Sequence, residues 1–177
     1  MNVSTVAEGP ALTWAEIDSM LTESRSYWVC TVRPDLRPHA VPVWGVWRRG
    51  SLLISTPEST VKARNIAVNR AVTVHLESAD DVVVVDGRAR VISDSDELTD
   101  WSTALTEKYG GLTGVTYDLV ASASAGMRNV AIDAKVVRAW RAGEMFHAVR
   151  WVADGTGGMR LADALSSVEA AQGGVAR

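Results

Sequence analysis

The apolar positions first follow a helical period. Ile17, Met20 and Leu21 form a stripe, Thr13 and Glu16 stand in capping-box spacing, and Leu12 and Ile17 stand in staple spacing, which together predict a helix over residues 14–24. The pattern then changes to β-branched and aromatic runs. These predict strands over residues 26–32, 38–47, 51–56, 71–77, 82–92, 130–140 and 146–152. Pro34-Asp35, Arg49-Gly50 and residues 78–81 supply turns between them. Pro42 cannot donate to a ladder, so the second run is an edge or bends there. Asp86-Gly87 predicts a bulge. A short helix is expected over residues 60–68, with Ser59 as N-cap and Asn69 closing it in a left-handed conformation. Asp94 and Glu97 open another helix, which carries Leu98, Trp101, Leu105 and Tyr109 on one face and is expected to end at Gly110. Residues 110–126 offer one helical turn, over 117–122.

Six or seven antiparallel strands joined by hairpins, with helices only at the joints, point to a mainly β protein whose sheet closes into a barrel to remove its edges. A length of 177 residues fits one domain, expected over residues 1–153. Residues 154–177 are rich in Gly, Ala and Ser and are expected to form a flexible tail, with a marginal helix over 161–171.

Composition narrows the function classes. With 18 basic and 21 acidic residues the net charge is −3, without the basic excess of a nucleic-acid binder. Cys30 is the only cysteine, so neither an intramolecular disulfide nor a cysteine zinc site is expected. His39, His75 and His147 fall on separate strands without ligand spacing, and no metal is expected. The first residues lack a signal-peptide pattern, and no run approaches the roughly 18 apolar residues of a membrane span. The expectation is a cytoplasmic protein.

The chemistry concentrates in residues 54–65, I-S-T-P-E-S-T-V-K-A-R-N. A strand runs through a polar turn into a helix N-terminus, whose free N–H groups suit an anion. Ser55, Thr56, Ser59 and Thr60 add hydroxyls, and Lys62 and Arg64 bring cations to the end of the helix dipole that disfavours them. The residues alone support equally an anion site and two solvated cations with Glu58 as partial relief. No Gly-x-Ser-x-Gly elbow and no phosphate-loop pattern is present.

The stretch S-T-P-E-S-T-V-K-A-R-N-I-A-V-N-R-A-V-T-V resembles the pyridoxamine-phosphate-oxidase-like, or flavin/deazaflavin oxidoreductase, superfamily. P-H-A-V-P-V-W and E-S-A-D-D-V-V-V-V-D-G-R-A-R resemble its neighbouring strands. The resemblance implies a homodimeric split β-barrel with cofactor at the subunit interface. It implies that Lys62 and Ser59 contact the cofactor phosphate, with Ser55 and Thr56 beside it, and that Val41, Pro42, Val43 and Trp44 pass along the ring system. Trp140, Arg150 and Trp151 are the expected contacts to the partner's cofactor. The Arg/Leu/Lys-rich strand and the C-terminal Arg-x-His pair of authentic pyridoxamine-phosphate oxidases are missing, which argues against vitamin B6 oxidation. The Ser-x-x-Lys form looks like the branch using the deazaflavin coenzyme F420, with FMN as the alternative. The implied activity is hydride transfer between that cofactor and a small conjugated organic substrate. No catalytic acid or base is expected. The other reading is a non-catalytic flavin- or tetrapyrrole-binding protein.

Overall fold

The computed structural model describes residues 11–142, 148–156 and 158–164. Helix α1 (Trp14–Glu23) opens with the expected capping box between Thr13 and Glu16. Strands β1 (Tyr27–Val32), β2 (Pro38–Val43), β3 (Val46–Arg48) and β4 (Ser51–Pro57) follow, and then helix α2 (Val61–Val68). Strands β5 (Ala71–His75) and β6 (Asp81–Val91), helices α3 (Ser95–Thr113) and α4 (Leu119–Ser124), and strands β7 (Met127–Arg141), β8 (Val149–Ala153) and β9 (Met159–Ala164) complete the described chain.

The strand order β2-β1-β5-β6-β7-β4-β3 explains the closure. The strands at its two ends, β2 and β3, are consecutive in the chain and joined only by Trp44 and Gly45. A connection that short forces the sheet to curl until its two ends meet. The predicted second strand is therefore two strands. Gly45 permits the switch, because a Cβ there would lie 2.6 Å from the Leu53 carbonyl oxygen.

Alternation along the strands separates two cores. Inside the barrel lie Tyr27, Val29, Leu52, Ile54, Val85 and Ile132, together with Ile17 and Leu21 of α1. Outside it, α3 and α4 cover Leu53 and Ala131 with Leu98, Trp101, Leu105, Tyr109 and Leu119. The helical face read from the sequence is thus buried. The bulge at Asp86-Gly87 is present as a register shift against β7.

Several local expectations are corrected. Thr60, not Ser59, caps α2, with its hydroxyl accepting from the Ala63 N–H. Asn69 closes α2 in extended backbone, with φ −128°. Helix α3 runs past Gly110 to Thr113 and is closed by the left-handed Gly114. Gly110 sits in its last turn, where tertiary burial of α3 overrides the weak propensity of glycine. The turn expected over residues 117–122 forms two residues later, as α4, capped by Asp118. Residues 161–164, expected as the start of a helix, are strand paired with β8, which adds a strand to the sheet. Residues 165–177 and the start of the predicted last strand, residues 146–147, lie outside the described residues.

Candidate functional site

The turn from β4 into α2 is built by two threonines. Thr60 donates its backbone N–H and its hydroxyl to the Pro57 carbonyl, at 3.1 and 2.9 Å. Thr56 is buried, with its hydroxyl 3.2 Å from that of Thr60. It faces the barrel and holds the cap, so it does not present its side chain to a ligand. Asn65, also buried, donates to Thr31 Oγ1 at 2.9 Å and ties α2 to β1. Ser59 is exposed, and its carbonyl accepts from the Arg64 guanidinium.

Lys62 stands at the second position of α2, half-buried. Glu58 does not relieve it, because that carboxylate pairs with Arg128 at 3.2 Å. Among the described residues no carboxylate forms an ion pair with Lys62. Burial pushes its ammonium below the usual lysine range. A partly desolvated cation beside the positive end of a helix is an arrangement that a bound anion relieves.

The second cluster surrounds Trp44, in the two-residue link between β2 and β3. Its side chain is exposed, and its ring stacks on Tyr109, with centroids 4.9 Å apart and planes 3° apart. The Arg25 guanidinium lies 5.7 Å from the Trp44 ring centroid. Tyr109 Oη accepts from the Gly45 N–H at 3.0 Å. Its single proton lies between the carbonyls of Gly45, at 2.7 Å, and Arg25, at 2.8 Å. Burial raises the Tyr109 phenol pKa, so it stays a neutral donor.

Trp44 borders two cavities. A groove of about 800 Å³ runs past Arg25, Ser26, Pro42, Val43 and Glu77. A narrower cavity of about 360 Å³ lies between Trp44, Ser55, Tyr109, Tyr117, Leu119 and Met127. Of the expected contacts, Pro42 and Val43 line the groove and Ser55 lines the narrower cavity, and Trp44 is common to both. Val41 lies on the same strand, paired with Val29. Ser59 and Lys62 line neither cavity; they stand just past the C-terminal end of β4.

The three late candidates divide. Trp151 pairs with the buried Val137 and turns inward against Trp14, at 5.8 Å between centroids. Trp140 pairs with the half-buried Val82, and Arg150 with Arg138, which places both on the outer sheet face. Sequence reading passed over Arg25 and read Tyr109 only as core. The available signal was a hydroxyl-bearing residue on an otherwise apolar stripe, since a buried phenol needs a partner.

Residues 13–141 match the family described as pyridoxamine 5'-phosphate oxidase. The chain belongs to this family. The family region holds everything from α1 to the end of β7, including the Lys62 corner and the Trp44 cluster. No curated protein matches the chain. Among solved structures, a conserved hypothetical protein of Mycobacterium tuberculosis, Rv2991, is similar at 24% identity with a TM-score of 0.64, over 77% of this chain and 89% of that one. An F420 reductase is similar at 21% identity and TM-score 0.53, over 68% of this chain and 94% of that one. A FAD-binding protein of Mesorhizobium loti is similar at 19% identity and TM-score 0.56, over 72% and 94%. At these identities the likeness is one of fold. No helix among the described residues is long and apolar enough to cross a membrane, and no group of three or more His, Cys, Asp or Glu side chains gathers there to hold a metal.

Proposed function

We propose that this family member is an oxidoreductase that holds a flavin-type cofactor, F420 or alternatively FMN, and serves hydride transfer to or from a small conjugated organic substrate. The observation that carries the reading is Lys62, a half-buried ammonium without a carboxylate partner among the described residues, at the N-terminus of α2 and next to the exposed Ser59. Its chemistry fits a phosphate group. The hydride chemistry is supplied by such a cofactor when bound.

The chain's own residues bind, orient and exclude water. Lys62 and Ser59 hold the phosphate end. Trp44, backed by Tyr109, offers a flat apolar surface to a planar ring, and Pro42, Val43 and Ser55 flank it. In the proposed homodimer the outer face of β1, β5, β6 and β7 meets the partner, since it presents Trp28, His75, Val84 and Trp140. Trp28 and His75 are already stacked there, 6.1 Å between centroids.

Fluorescence titration of the purified protein with F420 and with FMN tests the reading. Saturable binding of either supports it and selects the cofactor, and failure of both overturns it. Stoichiometric binding without reduction of any acceptor would assign a carrier instead of an enzyme.

A further inference from the structure

The narrower cavity beside Trp44 is walled mainly by apolar and aromatic side chains, Leu105, Tyr109, Tyr117, Leu119 and Met127. No lysine, arginine or histidine lines it, and its one carboxylate, Asp118, accepts from the Ala121 N–H at 2.9 Å as the cap of α4. Two of its rings already have cations of the chain beside them. The Arg25 guanidinium lies 5.7 Å from the Trp44 centroid, and Lys108 Nζ lies 5.5 Å from that of Tyr109. An anionic ligand would meet a carboxylate and no lining cation, and a cationic one would share the rings with two others. A neutral ligand meets neither penalty. A volume of about 360 Å³ is near the lower end of the roughly 300–1,000 Å³ of small-molecule pockets, which suits a compact ring system.

One polar pair belongs to this wall. Ser55 lines the cavity, and its hydroxyl has no partner among the described residues. Asn129 is its direct cross-strand partner, on the same outer face of the sheet, and is 1% exposed. Asn129 Nδ2 donates to the Leu119 carbonyl at 2.9 Å. That bond fixes the amide, because the flipped form would set two oxygens together. Asn129 Oδ1 is left buried without a donor, which is costly. We propose that this cavity is the substrate pocket, and that it takes a compact, neutral, conjugated ring compound presenting an N–H or O–H group to Ser55. With the Ser55 proton turned toward Asn129 Oδ1, the lone pairs of Ser55 Oγ face the cavity and accept from that group. The role as substrate pocket rests on the oxidoreductase reading. The selectivity of the site does not, because its walls belong to this chain alone.

Calorimetric titration of the free protein with indole and with 1-methylindole, which lacks the polar hydrogen, tests the proposal. Indole-3-acetate serves as the anion and tryptamine as the cation. The expected result is that indole binds at least about fivefold more tightly than 1-methylindole, a ratio that one ordinary hydrogen bond supplies, and more tightly than either charged analogue. Ser55→Ala should bring indole and 1-methylindole to equal affinity, and Ser55→Thr, which keeps the hydroxyl, should retain the preference. No binding of indole, a charged analogue binding as tightly, or a preference that does not follow the hydroxyl through the two variants would overturn the proposal. The probes involve no cofactor, so such a failure leaves the cofactor reading untouched. If neither F420 nor FMN binds while the indole selectivity holds, the assignment of the pocket to a substrate falls.

Discussion

The Tyr109 hydroxyl and the Gly45 backbone bond to each other in both directions, N–H to Oη at 3.0 Å and Oη to carbonyl at 2.7 Å. That pairing joins α3 to the point where the chain leaves one end of the sheet order for the other. It also fixes Trp44, the preceding residue, against the Tyr109 ring. One phenol thus serves barrel closure and the candidate site together.

Removing the hydroxyl tests this. Tyr109→Phe keeps the ring stack but leaves the buried Gly45 N–H without its partner. The expected cost is about 1–3 kcal/mol, read as a lower urea midpoint with an unchanged slope. Trp44 fluorescence should respond even where the fold persists. An unchanged midpoint would remove the clamp from the account.

Thr60 and Ser59 should separate stability from binding. Thr60→Ala removes the cap of α2 and the partner of Thr56, and should cost about 1 kcal/mol. Ser59→Ala, at an exposed position with no side-chain bond among the described residues, should change stability by less than about 0.5 kcal/mol while weakening cofactor binding. Equal effects of the two on stability would restore Ser59 as the cap.

These two residues also mark how far the sequence is legible. Ser and Thr are both good caps, and residues 59 and 60 differ by a backbone angle that propensity does not set. The strands, the α1 capping box, the buried face of α3 and the bulge were legible because each repeats a local period or a local spacing. The split at Gly45 was not, because its cause is a carbonyl of Leu53 eight residues away. Strand β9 was missed for a similar reason: its Gly- and Ala-rich surroundings read as tail, and its strand character comes from pairing with β8. At the candidate site, the turn into α2 was visible as chemistry, whereas the inward orientation of Thr56 and Trp151 depends on strand parity within a closed barrel.

Lys108 predicts a pH dependence of stability. Its folded pKa, about 8, lies below its unfolded value. Between about pH 8 and 10 the unfolded state therefore binds more protons, and this group's contribution to stability rises with pH. Below pH 8 the charged side chain is penalised by burial. Cys30, whose thiol is pushed up by burial, acts with the opposite sign, so the comparison must be with a variant. The difference in urea midpoint between wild type and Lys108→Met should favour the variant at pH 7 and shrink toward pH 10. A difference independent of pH would show that Lys108 does not titrate in this window.

The phosphate role of Lys62 is the centre of the functional account, and calorimetric titration of wild type and Lys62→Ala with the cofactor that binds tests it most directly. A charge-assisted bond of about 1.5–3 kcal/mol corresponds to a loss of affinity of about 10- to 150-fold. The account predicts a loss in that range, with the unfolding midpoint of the free protein unchanged or slightly raised, since Lys62 is half-buried without a carboxylate partner among the described residues. Equal affinity of the variant and the wild type would contradict it.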